Sequence, residues 1–130
     1  MELVLVVPGL VLLLGVMIAG GRLWFARSDV SESAYAAARG ASLARTANEA
    51  VAEGQRAGAE ALSLRDRRCT SSSVAVDVRA FRAPAGVSAA VTARVVCRVP
   101  LADLVLPVLP GSVLVEREAS AALDTYRARS

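Results

Sequence analysis

Two cysteines are the residues whose type and spacing point most directly to chemistry. Cys69 precedes one strand-like run, and Cys97 ends the next. Two thiols placed in this way favour a disulfide formed in an oxidising compartment. A pair of unpaired buried cysteines is the alternative, and the sequence leaves it open.

The absence of histidine from the chain restricts metal and catalytic chemistry. A structural zinc site takes four ligands, so the two cysteines would need carboxylate partners. The sequence contains no GxSxG nucleophile motif, no glycine-rich phosphate loop and no cluster with metal-ligand spacing. We therefore expect a protein that is not an enzyme and that holds no cofactor and no metal.

The charge of the chain permits contact with nucleic acid or anionic lipid without selecting either. The formal net charge is +3, and all 15 basic residues are arginines. Most of them are dispersed singly, and aromatic residues make up only 4% of the chain, which leaves few rings for stacking on bases. We expect no nucleic-acid partner.

The opening stretch, MELVLVVPGLVLLLGVMIAGGRLWF, has no ionisable side chain from Leu3 to Gly21. As a helix this run would extend about 28 Å, close to the hydrocarbon thickness of about 30 Å. Pro8 falls in the first turns, and Trp24 is typical of the membrane interface. A cleaved signal peptide is the alternative, but it requires a basic start and a shorter apolar core.

Helical periodicity continues beyond the apolar run. Small residues recur at helical spacing, namely Val30, Ala34, Ala37, Ala41, Ala44 and Val51. No proline interrupts residues 26–68, although Gly40, Gly54 and Gly58 weaken the helix prediction. The pattern predicts one long helix from about residue 2 to about residue 65, bent near the glycines.

Strand periodicity follows a serine cluster, Ser71 to Ser73, which indicates a loop. Alternation predicts strands at 74–82 and 88–98 around the turn RAPAG, and a third strand from 113 to 123. The alanine-rich end of the third strand would also suit a helix. The connection PLADLVLPVLPG contains three prolines, which break regular structure.

Antiparallel pairing of the first two predicted strands places Ser72 or Ser73 opposite Cys97. Cys69 then lies close enough for the Cα separation of about 4.4–6.8 Å that a disulfide requires. On the other face of the sheet, Arg94 should lie near Glu118 of the third strand.

The predicted fold class is α+β, with a long N-terminal helix packed on a small three-stranded antiparallel sheet. The first third of the helix spans the membrane. We divide the chain into a transmembrane helix at 1–25, an extramembrane continuation of that helix at 26–68 and an antiparallel β domain at 69–130.

These features together resemble the TadE-like proteins, within the wider type IV pilin-like group. The resemblance rests on ELVLVVP, in which Glu2 and Pro8 are six apart, on LLLGVMIAGGRLWFARSDV and on AAARGAS. It covers the first 45 residues or so. It implies a pilin-like fold and a structural role as a minor pilin or assembly component of a Tad-type pilus or related secretion apparatus. Implied partners are the cytoplasmic membrane, other pilin-like subunits, pilus assembly membrane proteins and a prepilin peptidase.

In proteins of this group the peptidase cuts after a glycine in a short basic leader, and a glutamate follows as the fifth residue of the mature chain. The resemblance identifies Glu2 as that glutamate and implies a leader upstream of Met1. Either Met1 is an internal start, or the chain is not processed. The resemblance also implies that Glu2 meets the N-terminal amine of a neighbouring subunit, whereas a hydrated interfacial carboxylate is the alternative.

Gly15 and Ala19 form a small-xxx-small pair that could seat another membrane helix. With Glu2 and Pro8 they are the predicted subunit-assembly residues. Glycine is also common in membrane helices without such a role.

We expect a single-pass protein with its N-terminus in the cytoplasm and its sheet outside. Arg22, Arg27 and Arg39 argue against this orientation, since positive charge favours the cytoplasmic side. The cysteines and the implied basic leader argue for it. The rival function is a membrane-anchored extracytoplasmic binding domain with no role in pili.

Overall fold

The computed structural model describes residues 2–64, 69–104 and 110–126 of the chain. Its elements are α1 (Glu2–Leu43), α2 (Ala47–Leu64), β1 (Ser71–Asp77), a 3₁₀ helix (Arg79–Arg82), β2 (Ala90–Pro100), α3 (Leu101–Leu104) and β3 (Ser112–Ala122). The strands form one antiparallel sheet in the order β1-β2-β3. α1 packs on β2 and β3, while α2 packs on β1. The predicted α+β fold, a long N-terminal helix on a three-stranded antiparallel sheet, is confirmed.

The prediction of one helix to about residue 65 is wrong, because the chain turns between α1 and α2. Thr46 Oγ1 accepts a hydrogen bond from the Glu49 amide at 3.2 Å, and Glu49 Oε2 accepts one from the Arg45 amide at 3.2 Å. This is close to a capping box, in which a threonine and a glutamate three residues later satisfy the free amides of a new helix. A second helix therefore begins at this point.

α2 returns antiparallel along α1 at very short range. Ser33 Oγ donates a 2.7 Å hydrogen bond to the Gly58 carbonyl, and a Cβ added to Gly54 would lie 3.2 Å from the Ala37 carbonyl oxygen. The same Cβ would lie 2.7 Å from Val76 Cγ2 in β1. Two of the glycines that weaken the helix prediction, Gly54 and Gly58, are thus the places where α2 touches both α1 and the sheet.

The core lies between the two helices and one face of the sheet. Alternate residues of β2 are fully buried, as predicted for one face of this strand: Val91, Ala93, Val95, Cys97 and Val99. α1 contributes mainly small buried residues: Ala26, Val30, Ala34, Ala37, Ala38 and Ala41. Small side chains allow the helix backbone to lie close to the sheet, which keeps this modest core densely packed.

β1 begins earlier than predicted and also ends earlier. Ser71 to Ser73, predicted as a loop, form its first half and pair with residues 96–98 of β2. The strand ends at Asp77, whose Oδ1 accepts a 3.0 Å hydrogen bond from the Arg79 amide and starts the 3₁₀ turn. Exposed serines are compatible with a strand at the edge of the sheet, because few side chains of such a strand need to be buried.

β3 settles the structure of the alanine-rich end of the third predicted strand. Residues 112–122 pair with β2 throughout, and Ala122 lies opposite Ala90. This end is therefore a strand and not a helix. In the proline-rich connection, α3 occupies 101–104, and residues 105–109 lie outside the described part of the chain.

Candidate assembly surface

The first half of α1 has no covering partner within the described chain. We call residues 3–21 the apolar segment. Their large side chains are exposed, with Leu3 at 77% and Leu5 at 80% accessibility. α1 is long and apolar enough to cross a membrane, and none of its most apolar window is buried. An apolar helix of this exposure requires lipid or another helix around it.

Three of the four predicted assembly residues share one stripe of the apolar segment. At about 100° per residue, Pro8, Gly15 and Ala19 fall within about 40° of one another around the helix. A Cβ added to Gly15 would meet nothing within 4 Å, so the stripe is open to close approach by another helix.

Glu2 lies in the first turn of α1, about 120° around the helix from that stripe. It shares its own face with Gly9 and Gly20, where an added Cβ would also meet nothing within 4 Å. The structure therefore does not bring Glu2 together with Gly15 and Ala19. The sequence signal for the shared face of Glu2, Gly9 and Gly20 was their spacing, since the two glycines follow Glu2 by seven and eighteen residues.

Pro8 lies inside α1 and does not end it. Proline has no amide hydrogen, so the carbonyl of Val4, four residues earlier, loses its helical partner. In lipid an unsatisfied carbonyl is costly unless a neighbouring group donates to it. The sequence therefore creates one local acceptor near the N-terminal end of the apolar segment.

The predicted disulfide between Cys69 and Cys97 is confirmed, with a Cα–Cα distance of 5.4 Å. Cys97 is fully buried in the middle strand, and Ser72 lies opposite it, which is one of the two positions, Ser72 or Ser73, that antiparallel pairing predicts. The bond ties the chain just before β1 to the centre of the sheet. The disulfide has a structural role, because Cys97 is buried in the core and does not line a solvent-filled cleft.

The outward face of the sheet is polar, and several of its charges are paired. Arg94 lies opposite Glu118, as predicted, with Nη2 to Oε2 at 3.1 Å, and its Nε lies 3.2 Å from Glu116 Oε1. Hydrogen bonding to Glu118 and the charges of both glutamates raise the pKa of Arg94. This face can make polar contacts with a partner.

The same face carries a second ion pair where β1 ends. Arg79 Nε lies 2.9 Å from Asp77 Oδ2. Hydrogen bonds from the Arg79 side chain and amide, with its positive charge, lower the pKa of Asp77 to about 2. Among the described residues, no three His, Cys, Asp or Glu side chains are grouped so that they could hold a metal ion.

The apolar part of α1 also lies within a match to a known protein family. The model of the TadE-like protein family matches residues 1–39, which confirms the resemblance noted in the opening residues. The matched part comprises the apolar segment and the turns of α1 that follow it, and it ends before α2 and the sheet. No curated protein and no solved structure matches the chain.

Proposed function

Because residues 1–39 match the TadE-like family, we propose that this chain is a pilin-like structural component of a Tad-type pilus or a related secretion apparatus. In this role it is a minor pilin or an assembly factor, acts by packing and catalyses no reaction. The main observation behind the proposal is that the family match falls on α1, whose first half is exposed. Its partners are other pilin-like subunits, pilus assembly membrane proteins and the cytoplasmic membrane.

The continuity of α1 supports this role. The helix runs without a break from the apolar segment to Leu43, and residues from Ala26 onward form part of the domain core. A force or displacement on the membrane end is therefore transmitted directly to the sheet. A flexible linker between anchor and domain would not provide this coupling.

In the proposed topology the N-terminus lies in the cytoplasm and the sheet lies outside. The disulfide supports this orientation, since such bonds persist in oxidising compartments. With Cys69 and Cys97 bonded, a Ser112→Cys variant would carry one free thiol at the start of β3. A membrane-impermeant thiol reagent should label it in intact cells once any outer barrier is permeabilised. Labelling that requires lysis of the cytoplasmic membrane would contradict this orientation.

We assign Glu2 to subunit assembly and not to folding. It lies at the exposed end of α1, remote from the domain core, so Glu2→Ala should leave thermal unfolding of the domain nearly unchanged. It should reduce co-purification with pilus or secretion components. Glu60→Ala is the matched control, because it removes one exposed carboxylate from α2. Wild-type recovery of the Glu2 variant would contradict the assignment.

The packing stripe provides a second test of the same proposal. Gly15→Leu fills the open position of the stripe without adding charge, so it should also reduce co-purification. If wild-type, Glu2 and Gly15 variants all behave alike, the proposed assembly role fails.

A membrane-anchored extracytoplasmic binding domain is the alternative function. It is favoured by one observation: the family match ends at residue 39 and leaves the sheet unmatched. The outward face of the sheet bears an open groove of about 500 Å³ lined in part by Asp77, Arg79, Arg94 and Glu118. Loss of a bound partner in Arg94→Gln, with Glu2→Ala unaffected, would select this alternative.

A further inference from the structure

We infer that Arg27 and Arg117 form a binding pocket for the phosphate of an anionic phospholipid headgroup. The pocket is a concavity of about 300 Å³ lined by Trp24, Arg27, Ser28, Ser31 and Arg117. Four of these residues belong to α1, and the fifth comes from β3. Two guanidinium groups and two hydroxyl groups are donors that suit a phosphate diester, since arginine matches phosphate oxygens with paired N–H donors.

The position of Arg117 in the sheet is unusual for a charged residue. It lies opposite Val95, on the face of β3 that also carries the buried residues Val115 and Ala119. Arg117 itself is exposed, because at this level it faces the side of α1 near Arg27. The fold thus directs one cation from the helix-facing side of the sheet towards a second cation on the helix.

Neither cation is neutralised by the described part of the protein. Within residues 2–64, 69–104 and 110–126, Arg27 and Arg117 form no hydrogen bond or ion pair through their side chains. By contrast, Arg56, Arg79 and Arg94 each have a carboxylate partner. Two like charges that line one concavity repel each other, and a bound anion removes that repulsion.

The acidic residues nearby in sequence do not line the pocket. Asp29 and Glu32 follow Arg27 on α1, but the lining consists of Trp24, two arginines and two serines. Among the described side chains, the concavity therefore presents positive charge and hydroxyl donors and no carboxylate.

The height of the pocket along α1 selects a lipid as the source of the phosphate. The apolar segment ends at Gly21, and Arg27 lies about 9 Å further along the helix axis. Side chains on a helix lean towards its N-terminus, so the guanidinium reaches back towards the membrane. The headgroup layer is about 5–8 Å thick on each side of the hydrocarbon. Trp24, one turn before Arg27, is a residue type favoured at this level.

Trp24 is the chain's one tryptophan and lies in the pocket, so its fluorescence reports occupancy. The full chain is reconstituted in phosphatidylcholine vesicles that contain a minor fraction of a brominated lipid. The brominated lipid is phosphatidylglycerol in one sample and phosphatidylcholine in the other. The measured quantity is the relative association constant of the two lipids, obtained from Trp24 quenching. We expect a preference for phosphatidylglycerol that falls about fivefold in Arg117→Gln.

Arg82→Gln is the matched control, because it removes the same charge from the other end of the domain. Phe81, its neighbour, packs with Ala41, which lies about 20 Å beyond Arg27 along α1. That distance exceeds the Debye length of about 8 Å at physiological salt, so this variant should keep the wild-type preference.

Each arm has an outcome that decides the proposal. Absence of a wild-type preference, or equal losses in Arg117→Gln and Arg82→Gln, would overturn it. Circular dichroism establishes that each variant is folded. If Arg117→Gln is not folded, Arg27→Gln takes its place, and the same fivefold loss is expected.

In vesicles of phosphatidylcholine alone, inorganic phosphate should leave Trp24 emission unchanged. An emission change that Arg117→Gln abolishes would identify free phosphate as the ligand and overturn the lipid assignment.

Discussion

Replacing Gly54 by alanine should destabilise the extramembrane domain, although alanine is the better helix former. The new Cβ would lie 2.7 Å from Val76 Cγ2, 3.2 Å from the Ala37 carbonyl oxygen and 3.3 Å from Ala41 Cβ. Carbon atoms in contact prefer separations of about 3.5–4.0 Å. The added methyl group would therefore be compressed between α1 and β1.

Two opposing effects set the magnitude. Replacing glycine by alanine within a helix stabilises it by about 1 kcal/mol. Overpacking a core costs about 1–3 kcal/mol, and Val76 gives way poorly because a β-branched side chain has few rotamers. We expect a net loss of about 1 kcal/mol, which lowers Tm by about 4–8 °C in a domain of this size.

The assay is thermal unfolding of the full chain in mild detergent, followed by far-ultraviolet circular dichroism. Ala52→Gly is the control for helix propensity, because Ala52 is exposed on the same helix. It should lose about 1 kcal/mol without any packing change. In a Val76→Ala background, Gly54→Ala should become neutral or stabilising because the shortest of the three contacts, at 2.7 Å to Val76 Cγ2, is gone.

A rise in Tm for Gly54→Ala, of the size by which Ala52→Gly lowers it, would refute this reasoning. That result would mean that only helix propensity acts at residue 54. α2 would then not lie against β1 as the structure places it.

Three further predictions concern individual contacts. Reduction of the Cys69–Cys97 bond, whose partners are 28 residues apart, should cost about 3.5 kcal/mol by the chain-entropy model; unchanged melting with reductant, or two titratable thiols before reduction, would contradict it. Because Arg79 lowers the pKa of Asp77 to about 2, Asp77 contributes stability above its ordinary pKa of about 4 and loses it as pH falls towards 2. The Tm difference between wild type and Asp77→Asn should therefore be present at neutral pH and vanish near pH 2. Ser33→Ala removes the buried hydrogen bond to α2 and should lower stability by about 1 kcal/mol in the same melting assay; an unchanged Tm would count against it.

Local features of the sequence are sufficient to predict much of this protein. The apolar segment is recognisable from its length and lack of charge, and β2 from its alternation, because both patterns depend only on neighbouring residues. The turn RAPAG sets the register of the first two strands. That turn was enough to place Ser72 or Ser73 opposite Cys97 and so to predict the disulfide, and the structure shows that the partner of Cys97 in the pairing is Ser72.

The break between α1 and α2 had a local signal that periodicity concealed. Thr46 and Glu49 have capping-box spacing, but the small-residue pattern continues across them and favours one helix. The edge strand β1 was misplaced for a related reason. Serine is common in loops, and only pairing with β2 shows that Ser71 to Ser73 extend a strand.

Tertiary structure alone decided what the glycines and the unpaired arginines do. Gly54 and Gly58 weaken a helix in isolation, yet they allow α2 to contact α1 and β1 once the hairpin closes. Arg27 and Arg117 are distant in sequence and line one concavity only because β3 lies against α1. Propensity and periodicity act over a few residues along the chain, whereas these juxtapositions arise from the burial of surfaces that are far apart in sequence.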